Sequence, residues 1–116
     1  MKTIIAGSRS ITEFKHVFNA IKESGFNITE IVSGTAKGVD RLGGLYGKNF
    51  NIPIKQFPAD WIQYGKRAGM IRNQQMSDYA DALIAVYDGV SNGTKNMIEI
   101  AKKDGLEVFV YEISEA

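Results

Sequence analysis

The chain of 116 residues is 44% hydrophobic, which is enough to bury one core, so we expect a single domain over residues 1–116. Its 14 basic and 13 acidic residues leave a net charge of +1, which excludes an overall electrostatic attraction to nucleic acid or membrane. The absence of cysteine excludes disulfides and thiolate chemistry, and the single histidine leaves little scope for a metal site, so we expect no metal and no cofactor.

Short β-branched segments alternate with helical patterns along the whole chain, and this alternation predicts an α/β domain with a mostly parallel sheet. The five predicted strands are residues 2–6, 30–33, 52–57, 82–87 and 107–113. The fourth, ALIAVY, is almost entirely apolar, which is typical of a central strand that is buried on both faces.

Four helical patterns lie between the strands, the first between Ser10 and Gly25 and the others at residues 38–49, 66–79 and 94–104. In the first pattern, Ser10 and Glu13 have the spacing of a capping box. The second pattern contains three glycines, each of which costs a helix about 1 kcal/mol. We expect close packing against the sheet to require them: Gly43, Gly44 and Gly47.

Three of the strand-to-helix junctions combine glycine with small hydroxyl or basic residues. They are residues 7–10, 33–38 and 88–94. Each junction follows the carboxyl end of a strand, so a parallel sheet brings all three to one rim. Glycine lets a phosphate approach backbone N–H groups, and the N-terminus of a helix favours negative charge. The sequence therefore predicts a site for a phosphate-bearing ligand on this rim.

The predicted ligand-binding residues lie in these loops and in the segment after the third strand: Gly7, Ser8, Arg9, Ser33, Gly34, Thr35, Lys37, Asp40, Trp61, Arg72, Asn73, Asp88, Gly93 and Thr94. The first and third junctions are expected to hold phosphate from opposite sides. The second junction, with Asp40, is expected to hold a sugar or a second phosphate. Two alternatives stay open, because glycine is also typical of tight turns and because Asp40, in the first turn of a helix, is also suited to capping N–H groups.

The segment after the third strand contributes Trp61 and Arg72, which we expect to close over the base of the ligand. An indole ring stacks readily on a nucleobase, and a guanidinium group binds phosphate. The alternative is that Trp61 covers the edge of the sheet and that Lys66 and Arg67 belong to a solvated helix face.

Together these motifs resemble the SLOG superfamily, in the branch related to YspA and YpsA. The matching segments are GSR after the first strand, SGTAKGVDRLGGLYG after the second, ADW followed by YGKRAGMIRNQQM, and ADALIAVYDGVSNGTKNMIEIA. This resemblance implies a Rossmann-like three-layer fold with strand order 3-2-1-4-5 and a nucleotide site at the same rim. Residues 1–116 are then expected to form one nucleotide-binding domain.

The superfamily also includes the LOG phosphoribohydrolases, which cleave the N-glycosidic bond of nucleoside monophosphates. By resemblance to them, an N-glycosidase is an alternative function, with Arg72, Asp88 and Glu99 as catalytic candidates. Arg72-Asn73 resembles the Arg-Lys pair of these enzymes, and Gly93-Thr94 resembles their glycine-rich loop. Glu99 departs from that pattern, since it lies two residues later than the acid of the loop, and this turns its side chain by about 200° around a helix.

We therefore expect the chain to bind a nucleotide or a nucleotide-derived signalling molecule, as a sensor or as a sequestering protein. Single-stranded nucleic acid is a further alternative partner, because DprA-like proteins belong to the same superfamily and the chain offers Trp61 and basic side chains: Lys37, Lys66, Arg67, Arg72 and Lys95. Members of the superfamily commonly self-associate, so the resemblance also implies a homo-oligomer. No apolar segment is long enough to span a bilayer, and we expect a cytoplasmic protein without a membrane partner.

Overall fold

In a computed structural model that describes residues 1–113, five strands form one parallel sheet. The strands are β1 (Lys2–Gly7), β2 (Glu30–Ser33), β3 (Ile54–Gln56), β4 (Ala82–Tyr87) and β5 (Glu107–Glu112). Their order across the sheet is β3-β2-β1-β4-β5, which confirms the predicted α/β fold and strand order. The last three residues of the predicted domain lie outside the described range.

Helices cover both faces of this sheet and complete a three-layer arrangement. The long helices are α1 (Phe14–Ser24), α2 (Val39–Asn49), α4 (Ala68–Tyr79) and α5 (Asn92–Lys103), and α3 (Trp61–Tyr64) is a single turn followed by a 3-10 turn at Gly65–Arg67. Apolar side chains of α1 and α2 pack on one face of the sheet, and those of α4 and α5 pack on the other. Within residues 1–113, no helix combines the length and the apolar character that crossing a membrane requires.

The central strands are buried on both faces, as the apolar sequence of β4 predicts. Ile4 and Leu83 belong to the core cluster shared with α4 and α5, whereas Ile5 and Ile84 belong to the cluster shared with α1 and α2. The alternation of side chains along a strand therefore feeds both clusters. Since helices cover both faces of the sheet, a ligand can approach at the rim formed by the loops that follow the carboxyl ends of the strands.

The predicted starts of α1 and β3 are wrong. The capping box does not form, because α1 begins at Phe14, its N-cap Glu13 makes no side-chain capping bond, and Ser10 Oγ lies instead 3.3 Å from Asp88 Oδ2. The third strand is shorter than predicted, because the N–H of Ile52 donates to the carbonyl of Gly47 at 2.8 Å and so closes the end of α2. Both errors concern groups whose hydrogen-bond partners lie outside the predicted element.

Close packing requires two of the three glycines in α2. A Cβ added at Gly43 would lie 2.8 Å from Cβ of Ile5, and one at Gly47 would lie 3.0 Å from Cδ1 of Ile31. A Cβ at Gly44 would meet nothing within 4 Å. The prediction of close packing is therefore confirmed for Gly43 and Gly47 and wrong for Gly44.

We expect Gly43→Ala and Gly44→Ala to change stability in opposite directions. Gly43→Ala forces α2 away from β1 and should lower the free energy of unfolding by about 2 kcal/mol. Gly44→Ala adds helix propensity without a clash and should raise it by up to about 1 kcal/mol. Urea unfolding of the two variants measures both values, and stabilisation by Gly43→Ala would contradict the packing of α2 on the sheet.

Candidate functional site

A cleft of about 400 Å³ opens at the carboxyl ends of β1 and β4. Chain connections leave these two strands in opposite directions, so this is the point of a parallel sheet where ligands commonly bind. The volume lies within the range of small-molecule sites. Of the predicted ligand-binding residues, those that line the cleft are Gly7, Arg9, Asp40, Trp61, Arg72, Asn73, Gly93 and Thr94.

A smaller cavity of about 130 Å³, which we call the side chamber, adjoins the cleft. Four residues line both cavities, namely Arg9, Ala36, Trp61 and Arg72. The remaining wall of the side chamber comes from the loops after β2 and β3: Gly34, Thr35, Pro58 and Ala59. The structure therefore brings residues of the first and second junctions and of the segment after the third strand to one connected site.

Arg72 forms part of the wall between the cleft and the side chamber. Its Nε donates to Oδ1 of Asn73 at 3.0 Å, and its Nη1 donates to the carbonyl oxygen of Gly34 at 2.5 Å. Burial lowers the pKa of Arg72, and the nearby charge of Arg9 lowers it further while Asp40 opposes the change. The group nevertheless stays charged, as arginine does in proteins. Since a guanidinium has five N–H donors, Arg72 keeps several for a ligand while its orientation is fixed.

Asp40 is the buried carboxylate of the cleft, with an exposed fraction of 6%. Burial raises the pKa of Asp40 to about 6, even though the N–H of Ala36 and the charges of Arg72 and Arg9 act in the opposite direction. Oδ2 of Asp40 accepts that N–H at 3.2 Å. A Cβ at Gly34 would lie 2.7 Å from Oδ2 and 2.5 Å from Nη1 of Arg72, so only glycine lets both groups sit here.

The first turn of α5 forms another wall of the cleft. Ser91 is the N-cap, and its Oγ accepts from the N–H of Thr94 at 3.4 Å and lies 2.9 Å from Oγ1 of Thr94. Asn92 and Gly93 lie between these two residues, and in the first turn of a helix their N–H groups have no acceptor within the helix. A Cβ at Gly93 would meet nothing within 4 Å, so the approach to this turn is open. The positive end of the helix dipole thus borders the cleft.

Asn73 connects α4 to this turn. It is buried, and its Nδ2 donates to Oδ1 of Asn96 at 3.0 Å and to the carbonyl oxygen of Gly93 at 3.4 Å. Its Oδ1 accepts from Arg72 as described above. Because its amide is engaged on both sides, Asn73 positions Arg72 and the start of α5.

Two predicted hydroxyl ligands hold loops together. Ser8 is 1% exposed, and its Oγ accepts from the N–H of Asp88 at 3.1 Å. Ser33 is also buried, and its Oγ accepts from the N–H of Thr35 at 3.1 Å. Neither serine lines the cleft or the side chamber. Both residues shape the site through the backbone that they fix.

Asp88, another predicted ligand-binding residue, holds the backbone of its own loop. The carboxylate of Asp88 accepts from the N–H groups of Val90 and Ser91, each at 2.9 Å, and these bonds lower the pKa of Asp88. Asp88 therefore orders the loop before α5 from outside the cleft.

Three more predicted residues do not offer a side chain to the cleft. Lys37 and Glu99 are exposed and line neither cavity. Gly7 borders the cleft, but a Cβ there would lie 2.1 Å from the carbonyl oxygen of Val86, so packing requires this glycine.

Several apolar residues of the cleft are missing from the predicted ligand-binding set. Gly69 and Met76 of α4 line it together with Arg72 and Asn73. These four positions recur at intervals of three and four residues, which places them on one side of a helix. Helical spacing counted from Arg72 would have identified them. On α5, Met97 follows Thr94 at the same interval and also lines the cleft. Residues 1–113 contain no group of His, Asp and Glu side chains arranged to hold a metal ion.

Comparison with known proteins gives a relative that covers nearly the whole chain. The Gene 61 protein of Mycobacterium phage D29 is 31% identical over 117 residues, which cover 92% of this chain and 93% of that protein. The SPbeta prophage-derived protein YoqJ of Bacillus subtilis (strain 168) is 50% identical over 32 residues, or 28% of this chain and 19% of that protein. No family model matches the chain.

Among solved structures, the chain is similar to DNA processing protein A (DprA) from Streptococcus pneumoniae. The TM-score is 0.76, the sequence identity is 18%, and the similarity covers 94% of this chain and 49% of that chain. The present chain therefore spans about half the length of DprA. At this identity the comparison establishes a shared Rossmann-like fold.

Proposed function

The chain belongs to the family of the Gene 61 protein of Mycobacterium phage D29, and we propose that its cleft binds a nucleotide or a nucleotide-derived signalling molecule. Within this proposal, residues 1–116 form one nucleotide-binding domain of the SLOG superfamily, in the branch related to YspA and YpsA. The observation that carries the proposal is that Arg9, Arg72 and the first turn of α5 line the same cleft. Binding needs no covalent chemistry, so the protein acts as a sensor or sequesters the molecule.

Each part of a nucleotide has a matching group in the cleft. The phosphate accepts hydrogen bonds from the N–H groups of Asn92 and Gly93 at the start of α5 and from the guanidinium of Arg72. Asp40 accepts from a sugar hydroxyl, because a carboxylate is an acceptor once ionised. Trp61, which is 53% exposed and lines the cleft, offers an indole ring on which a base stacks.

Thermal-shift measurement against nucleoside mono-, di- and cyclic phosphates tests this function. A nucleotide at ten times its Kd should stabilise the folded chain by about 1.4 kcal/mol, which corresponds to a rise in Tm of about 5 °C. The corresponding nucleosides, which lack phosphate, are the control and should give a much smaller shift. Absence of a shift with every nucleotide at millimolar concentration would overturn the proposal.

Single-stranded nucleic acid is a second candidate ligand. The fold is shared with a protein named for DNA processing, and the exposed Trp61 and Lys66 both line the cleft. Binding of this kind should weaken steeply as salt rises, because counterions are released from the phosphate backbone. Fluorescence anisotropy of a labelled oligonucleotide at two salt concentrations tests it, and tight mononucleotide binding without oligonucleotide affinity would exclude it.

Hydrolysis of an N-glycosidic bond has less support. Arg72 lines the cleft, but the carboxylate of Asp88 is bound within its own loop and Glu99 is exposed outside the cleft. This reaction needs an acid near the bond to be broken, and the carboxylate that lines the cleft is Asp40, which is not one of the predicted catalytic acids. Release of free base from nucleoside monophosphates, lost in Arg72→Ala, would favour the enzyme over the binding protein.

Self-association belongs to the same proposal. Phe18 and Phe50 are 38% and 50% exposed, and together with Phe14 and Tyr46 they form a cluster of aromatic rings on α1 and at the end of α2. Exposed apolar surface of this kind favours contact with another protein. Sedimentation equilibrium of the chain tests the expectation, and a monomer at micromolar concentration would contradict it.

A further inference from the structure

The cleft meets the side chamber at a shared border, which we call the dividing wall, made of side chains that line both cavities. Arg9, Trp61 and Arg72 border the two cavities. Among the residues that the structure describes, neither arginine forms a salt bridge with a carboxylate. A single ligand can therefore extend from the cleft into the side chamber and contact both guanidinium groups.

The volume of the side chamber limits what it can take. Its 130 Å³ correspond to the liquid volume of about four water molecules. This is room for a phosphate group or a sugar ring and is too little for a nucleotide. The cleft, at about 400 Å³, is large enough for the nucleoside.

Electrostatics favours an anion at the dividing wall. Arg9 and Arg72 are near enough for the charge of Arg9 to lower the pKa of Arg72, so the two cations repel each other. The one carboxylate beside them, Asp40, is buried and accepts from the backbone N–H of Ala36. A doubly charged terminal phosphate between the two guanidinium groups would relieve this repulsion and use their free N–H donors.

Building on the proposed function, we propose that the ligand is a nucleoside diphosphate. Its first phosphate lies in the cleft at the start of α5, and its terminal phosphate lies between Arg9 and Arg72 and enters the side chamber. A nucleoside monophosphate occupies the cleft alone. The second phosphate therefore adds affinity through the side chamber, and blocking that chamber removes the added affinity only.

Calorimetric titration with matched pairs tests this inference. The probes are AMP and ADP, GMP and GDP, CMP and CDP, and UMP and UDP. For the base that the protein accepts, we expect the diphosphate to bind at least tenfold more tightly than the monophosphate. Ala59→Leu, which narrows the side chamber from a residue that does not line the cleft, should abolish this difference and leave monophosphate binding unchanged. Ala59→Ser preserves the volume and should keep the difference.

The possible failures are distinguishable. A diphosphate that binds no more tightly than its monophosphate overturns the use of the side chamber and leaves the proposed function standing. The same conclusion follows if Ala59→Leu weakens both members of a pair equally. If none of the eight nucleotides binds, this inference fails, and the proposed function fails with it when the cyclic nucleotides of the thermal-shift panel also give no shift.

Discussion

Arg72→Ala is expected to weaken nucleotide binding by about 100-fold or more. Two hydrogen bonds, to Asn73 and to the carbonyl of Gly34, fix the guanidinium at the edge of the cleft. A preorganised cation of this kind loses little entropy when it binds phosphate, and each charge-assisted hydrogen bond is worth about 1.5–3 kcal/mol. Loss of two such bonds accounts for the expected change in Kd, which calorimetry measures.

Two further variants separate this role from a general effect of charge. Arg72→Lys keeps the charge but lacks the planar donor fork, so it should fall between wild type and alanine. Arg67→Ala removes an exposed arginine that lines neither cavity and should leave Kd unchanged. Urea unfolding of each variant identifies loss of binding that is due to a weakened fold. Equal losses in Arg67→Ala and Arg72→Ala would contradict the assignment.

Asp40→Asn is expected to stabilise the ligand-free protein above pH 6. Burial raises the pKa of the Asp40 carboxyl from 3.8 to about 6. The folded chain therefore holds the proton more tightly than the unfolded chain does. The resulting stability is fully present below pH 3.8 and is lost as the pH rises through about 6. The difference between the two pKa values corresponds to about 3 kcal/mol.

Asparagine at this position carries no charge and keeps an oxygen that can accept the N–H of Ala36. The free energy of unfolding of Asp40→Asn should match that of wild type near pH 4 and exceed it by about 3 kcal/mol at pH 7.5. Denaturant unfolding across this range measures the difference at each pH. A difference that does not vary with pH would show that the carboxyl is not buried as described.

Much of the fold follows from patterns along the chain. Alternation of β-branched segments with helical patterns predicted the parallel sheet, and the apolar sequence of β4 predicted its central place. The strand order came from the resemblance of whole motifs. The sequence of one strand does not predict its neighbours in the sheet, because strand pairing depends on contacts between residues that are distant in the chain.

Convergence of the loops was predictable, because parallel strands end at one rim whatever their side chains are. The sequence did not predict which loop residues line the cleft or the side chamber. Ser8 and Ser33 have hydroxyl groups suited to phosphate, yet Ser8 accepts a backbone N–H of another loop and Ser33 accepts one of its own loop. A hydroxyl group serves either purpose equally well, and the choice depends on where the neighbouring backbone runs.

The glycines show the same limit of prediction from sequence. Gly43 and Gly44 are adjacent in α2 and alike in sequence, yet only Gly43 lies against the sheet. At the site, Gly34 makes room for Asp40 and Arg72, whereas Gly7 makes room for the carbonyl of Val86. At each crowded glycine, at least one of the crowding groups belongs to a residue far away in the chain, so no local pattern records the role.

The most direct test of the account is to locate a bound nucleotide on the protein by ¹⁵N–¹H correlation spectra during titration. If the cleft is the site, the largest shift changes will fall on the amides of Asn92 and Gly93 and on the side-chain Nε–H of Arg72. Changes confined to the aromatic cluster of Phe18 and Phe50, or spectra that stay the same at saturating nucleotide, would contradict it.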